Sequence, residues 1–234
     1  MSGPTFITYT SGISAAAIVI VGYAAGIFAL IKYFKEKKPL LPLLSVVAFC
    51  FGTFYLDVTL SFITILLTGK NQIPIMVSGW IAFSTAPISM IAIMWLSFDI
   101  FKPELRNRVC LVIGISAIVY WILLFGFPDL MMGGFVDEEH LLVKHEAKLP
   151  LFIFIAIYMI INIVISAGGF LRIARRVEGK IKIRCIELVI GFLLFSISNA
   201  VDMLVPIGII LVPTRIAVVI SYLLIFHGFL MHKE

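Results

Sequence analysis

Residues 13–31 read ISAAAIVIVGYAAGIFALI, and no charged side chain stands anywhere between Met1 and Ile31. Such a stretch, wound as a helix, rises about 28 Å, close to the thickness of a bilayer's hydrocarbon core. Its apolar residues do not keep to one face, as they would on the surface helix of a soluble domain. The same kind of run recurs down the chain, over 12–34, 41–68, 74–101, 109–127, 150–174, 185–211 and 213–232. The sequence therefore predicts an all-α polytopic membrane protein, a seven-transmembrane-helix bundle in a single domain over 1–234. Barrel strands would be about 10 residues long and alternating, which these runs are not.

Composition agrees. The chain is 62% hydrophobic and 13% charged, with a mean hydropathy of +1.14. Soluble domains run near 45–50% apolar and about 25% charged, so the excess calls for a non-aqueous partner. The first residues lack the basic segment of a cleavable leader, and the first run is too long for one, so helix 1 is expected to be retained.

The connectors set the orientation. Lys32, Lys35, Lys37 and Lys38 cluster after helix 1, and Lys102, Arg106 and Arg108 between helices 3 and 4. Arg172, Arg175, Arg176, Lys180, Lys182 and Arg184 lie between helices 5 and 6, and Lys233 follows helix 7. Only Lys70, Lys144, Lys148 and Arg215 fall on the other side. The positive-inside rule then puts the N-terminus outside and the C-terminus in the cytoplasm of a multi-pass cell-membrane protein. The net charge of +5 reads as contact with anionic lipids on the cytoplasmic face. No nucleic acid is expected as a partner, because no soluble surface is left to present a basic face. Cys50, Cys110 and Cys185 avoid the outer loops, so no outer disulfide is expected, and they are too far apart in sequence for a zinc site.

Ionisable side chains inside a span are costly and usually face the bundle interior. Asp57 in helix 2 and Asp202 in helix 6 each lie roughly 24 Å from the cytoplasmic helix end at 1.5 Å per residue. They should share a depth in the outer half. Arg215, at the start of helix 7, could pair with Asp202. Asn199, Ser196, Ser84, Thr85, Tyr23 and Asn162 fall near that level, and together the set suggests a polar ligand or ion pocket opening outward. The alternative is a packing network that only holds helices together. His227 and Asp99, nearer the cytoplasm, are candidates for a proton relay or for plain interfacial residues. Pro87 should kink helix 3, and Pro206 should bend the outer end of helix 6. Gly22 with Gly26, and Gly168 with Gly169, offer flat spots for helix packing, with a homo-oligomer through helix 1 as the other reading. The segment Pro128 to Leu149, with Asp137, Glu138, Glu139, His140, His145 and Glu146, is expected to be a solvated acidic loop rather than a metal site.

Short matches hint at a parallel 3+1+3 repeat. Gly26 precedes a basic loop and then Asp57, as Gly169 precedes a basic loop and then Asp202. Such repeats occur in transporters. Motifs for chemistry are missing: no His-Glu-x-x-His, no Gly-x-Ser-x-Gly and no phosphate-binding loop. Thr214 to Met231 holds no lysine that could carry retinal. No enzyme activity, metal or cofactor is expected. The reading favoured is a receptor-like or sensory protein that binds a small or lipophilic ligand and acts through a cytoplasmic signalling protein. The alternative is a small ion- or proton-coupled transporter.

Overall fold

Where water is excluded, every backbone N–H and C=O must find a partner within its own segment, and a helix is the simplest solution. The computed structural model describes residues 4–137, 139–205 and 207–230, and most of them are helical. Pro206 and the tail that includes Lys233 lie outside the described residues. Helix α1 (Phe6–Glu36) begins with a reciprocal cap in which Thr5 and Thr8 each accept the other's backbone N–H. It ends at Lys37 in the left-handed conformation, φ 54°.

The second apolar run is two helices, α2 (Leu40–Thr53) and α3 (Leu56–Thr68), bent by 43°. Its cause is local. Thr53 turns its hydroxyl back to the Phe49 carbonyl at 2.9 Å, a bond that competes with the helix ladder. The Tyr55 N–H reaches Gly52 rather than continuing the α pattern. The next run is α4 (Ile75–Phe83) and α5 (Ala86–Phe101), with Ser84 and Thr85 between them. Pro87, which has no N–H to give Phe83, accounts for that interruption.

Beyond α6 (Pro103–Gly126) and the single turn α7 (Pro128–Met131), the chain forms a hairpin of β1 (Met132–Val136) and β2 (Val143–Ala147). Met132 pairs with Ala147 and Val136 with Val143. This corrects the expectation of a solvated loop. Met131, Met132, Leu142, Val143 and His140 are all buried. The hairpin tip is tied to the start of α1, where Thr5 Oγ1 meets His140 Nδ1 at 2.9 Å and the Thr8 hydroxyl donates to the His140 carbonyl.

Helix α8 (Leu149–Ile161) runs into a π-helical segment (Asn162–Ala167) and then α9 (Gly168–Ala174). Helix α10 (Gly179–Leu204) starts six residues before the apolar run that marks it, so Lys180, Lys182 and Arg184 are helical. The last helix is α11 (Leu211–Leu230).

Among the described residues, five stretches are long and apolar enough to cross a membrane: Phe6–Glu36, Ile75–Phe101, Pro103–Gly126, Leu149–Ala174 and Leu211–Leu230. The bent pair α2–α3 makes a sixth if it counts as one span. Inside, Phe51 stacks between Phe195 at 4.3 Å and Tyr222 at 4.6 Å, and Phe170 packs with Phe101, Phe192 and Phe229. Outside, Ile20, Leu67 and Leu111 are 67%, 79% and 67% exposed. An apolar exterior of this kind is what a lipid-facing surface needs and what water penalises.

Candidate functional site

Three helix interruptions face one cavity of about 210 Å³. Phe54 and Tyr55 come from the α2–α3 bend, Ala86 from the α4–α5 break, and Asn162 from the first residue of the π segment. Each interruption frees backbone groups, and side chains take up several of them. The Tyr222 hydroxyl donates to the Phe51 carbonyl at 3.1 Å, beside the bend. The Tyr120 hydroxyl donates to the Phe83 carbonyl at 2.9 Å, the acceptor that Pro87 leaves free. Trp121 Nε1–H donates to the Ser84 carbonyl at 2.8 Å. Non-helical backbone at membrane depth is tolerated when it is buried in protein or lines a cavity, and π segments often mark functional sites.

Asp57 lies in the first turn of α3, directly after the bend, and is buried. Its Oδ2 lies 3.3 Å from the Ser78 hydroxyl, which donates to it, and 3.1 Å from His145 Nε2. Ser78 Oγ and His145 Nε2 are themselves 3.0 Å apart. Asp57 Oδ1 is buried with no hydrogen-bond partner among the described residues, and so is His145 Nδ1.

Across the cavity, Arg215 is buried and its Nε lies 3.4 Å from Asp202 Oδ1. Arg215 Nη1 donates to the Ser11 carbonyl at 2.6 Å and to the Ser11 hydroxyl at 2.7 Å. The guanidinium also sits 5.6 Å from the centre of the Tyr55 ring. The Tyr55 hydroxyl reaches Asn199 Oδ1 at 3.4 Å, while Asn162 Nδ2 donates to Ser196 Oγ at 3.3 Å. Asn162 Oδ1 is another buried acceptor without a partner among the described residues.

The hairpin closes the wall with Val143, Lys144 and His145. Lys144 Nζ donates to the Val205 carbonyl at 2.6 Å. Burial pushes the Lys144 ammonium below its ordinary pKa; the Asp202 carboxylate opposes that shift and Arg215 adds to it.

Of the candidates read from sequence, Asp57, Asn162, Ser196, Asn199, Asp202 and Arg215 line this cavity. Thr85 sits just before Ala86, its hydroxyl buried without a partner among the described residues. Tyr23 is elsewhere, bonded to Thr53 at 3.3 Å. Asp99 and His227 take separate partners. Asp99 binds Arg106, which lies over the Trp95 ring, and His227 Nδ1 meets Glu187 Oε2 at 2.9 Å on an exposed face.

Sequence reading missed Ser78, Lys144 and His145. A cue was present: Met131-Met132 and Leu141-Leu142-Val143 bracket the acidic residues with apolar ones, a pattern that suits a hairpin packed on a core rather than a solvated loop. The side of the bundle cannot be read from that pattern. Comparison with known proteins returns neither a matching family model nor a curated protein that matches the chain.

Proposed function

We propose that this chain is a seven-helix protein of the cell membrane, of receptor-like or sensory type, that binds a small ligand in the cavity between Asp57 and Asp202. Helix α10 is the seventh span in this reading. It has 26 residues, about 39 Å of rise, with its charged turns in the cytoplasmic headgroups. The N-terminus lies outside, the hairpin covers the outer end, and the basic 172–184 segment faces anionic lipid and a cytoplasmic signalling partner.

The observation that carries the reading is the cavity itself. It is far larger than the ~10–15 Å³ one water needs. Its wall is chiefly apolar and aromatic with a few converging polar groups, which is the usual make-up of a ligand site. A packing network alone would close around its ion pair.

The transporter reading stays as the second, and one observation favours it. Discontinuous helices around a central site are a device of secondary transporters, and three of the cavity's walls are discontinuous. The interruptions fall in the second and third helices of the first half but in the first helix of the second half, so they do not repeat.

Reconstitution separates the two. In the sensory reading, purified protein in nanodiscs is stabilised by small amphipathic molecules, and proteoliposomes show no proton or solute flux. Flux that Asp202→Asn abolishes would make the protein a transporter. Neither stabilisation nor flux would leave the cavity as packing.

A further inference from the structure

Resting on that ligand-binding reading, we infer that the ligand is an organic cation, a small protonated amine on an apolar body, whose ammonium sits against Asp57. The first ground is the carboxylate. Asp57 is 2% exposed, its Oδ2 is occupied by Ser78 and His145, and its Oδ1 is a buried acceptor without a partner among the described residues. A buried carboxylate oxygen left without a donor is expensive, and a cation brought beside Oδ1 relieves that cost.

The second ground is Asn162 Oδ1, a further open acceptor on a residue that lines the same cavity. An ammonium has three donors and no acceptor, so open oxygens are what it needs. The third is the company of rings. Phe54, Tyr55, Phe83, Tyr158 and Phe195 line the cavity, and aromatic faces attract organic cations.

The arginine and the lysine on the wall are turned away from Asp57. Arg215 addresses Ser11 and Asp202, and Lys144 donates to the Val205 carbonyl. A carboxylate ligand would meet two aspartates on the wall, and Arg215 already gives Nη1 to Ser11. The volume sets the size: about 210 Å³ is below the ~300 Å³ where drug-sized sites begin, so the body is fragment-sized. A bare alkali ion would leave the apolar wall unused.

The test uses three probes on one carbon skeleton: cyclohexylmethylamine, cyclohexylmethanol and cyclohexanecarboxylate. Each is titrated against the full chain in nanodiscs, with the thermal midpoint as readout. The amine should raise the midpoint and saturate, at least tenfold tighter than the alcohol or the acid. Asp57→Asn should weaken the amine at least tenfold, and Asn162→Ala about threefold. Each probe's free concentration is corrected for its partition into empty nanodiscs, so probes as well as variants can be compared.

The probe ranking on the unaltered chain needs no variant, so misfolding of Asp57→Asn does not block the test. If the alcohol or the acid binds as well as the amine, the cation assignment is overturned while the ligand site stands. A sodium-specific stabilisation, measured against potassium and lost in Asp57→Asn, with no amine effect would overturn it in favour of a metal ion. If none of the three probes nor sodium stabilises the chain, the cation assignment falls and the ligand-binding reading falls with it.

Discussion

Asp57 and His145 meet at 3.1 Å although they lie 88 residues apart in the chain. One belongs to a helix that starts at a bend in the bundle, the other to a strand of the hairpin that covers it. Ser78, on a third element, touches both. The hairpin is therefore seated by polar contact with the same carboxylate that faces the cavity. Anything that changes the charge at Asp57 also changes the seat of the hairpin.

His145→Ala leaves Asp57 Oδ2 on Ser78 alone. Losing a hydrogen bond to a buried charged group costs about 1–3 kcal/mol, so the thermal midpoint should fall. Limited proteolysis should also cut the hairpin between β1 and β2 sooner than in the unaltered chain. His145→Gln, which keeps a donor, should recover part of both. Unchanged proteolysis would mean that the Thr5–His140 tie holds the hairpin by itself.

The interruption before α5 offers a cleaner energetic test. Tyr120 donates to the Phe83 carbonyl because Pro87 cannot. Tyr120→Phe should cost about 1 kcal/mol, the usual net worth of one hydrogen bond. Pro87→Ala gives position 87 an N–H that can compete for the same carbonyl. In that background Tyr120→Phe should cost less, and a double-mutant cycle of thermal midpoints reads the difference. Additive effects would show that the two residues do not share the carbonyl.

Gly22 tests the packing of α1 on α2. A Cβ there would stand 2.8 Å from the Cα and N of Gly52 and 3.0 Å from the Ala48 carbonyl oxygen, all backbone. Gly22→Ala should destabilise the chain by about 1–3 kcal/mol, as overpacking does. Gly114→Ala meets nothing within 4 Å and should stabilise α6 by up to about 1 kcal/mol, the helix-propensity gain. Equal effects at the two sites would remove the close-approach argument.

These glycines also show what a sequence can and cannot tell. The Gly22 flat spot was legible as a packing feature because small residues four apart have one common use in helix pairs. Gly169 was legible too, where a Cβ would strike the Phe101 ring at 2.3 Å, but Gly168 was not, since only the Ile163 carbonyl lies near, at 3.8 Å. Run length made the apolar helices legible because a bilayer core imposes about 20 apolar residues per span. Hydropathy could not place the start of α10, whose charged first turns are helical without being apolar. The Thr53 bend stayed hidden because a threonine that bonds back to its helix looks, in sequence, like any other. Depth arithmetic bore on Asp57 and Asp202, both on helices with many apolar neighbours. Nothing in local pattern could pair Asp57 with a histidine from a segment dominated by acids.

The ion pair across the cavity should be costly to break from either side. Arg215→Met leaves Asp202 with Lys144 as a cationic neighbour, and Asp202→Asn leaves a buried guanidinium facing an amide. Removing one partner of a buried pair costs several kcal/mol, and the partial exposure of Asp202 (18%) sets this nearer 3 kcal/mol than 5. The double variant Asp202→Asn with Arg215→Met should be less damaging than the sum of the singles. Additive losses in thermal midpoint would show that the 3.4 Å approach contributes no coupling.

Lys144 should give the bundle a pH dependence. Its ammonium is pushed below the ordinary value of 10.5, with burial the largest cause. Between the folded value and 10.5 the unfolded chain holds the proton and the folded chain has lost it. Stability therefore rises with pH across that window, and the full penalty is present below it. Lys144→Met removes the titrating group, so its thermal midpoint should lack this part of the rise, and the two curves should converge toward pH 10.5. Other lysines titrate in both proteins and cancel in the difference. If the difference between the curves is flat, the amine is as well solvated in the folded chain as in the unfolded one. The Val205 carbonyl, 2.6 Å away, would then be replacing the lost water completely. A difference that grows with pH would mean that this bond favours the charged form by more than burial opposes it.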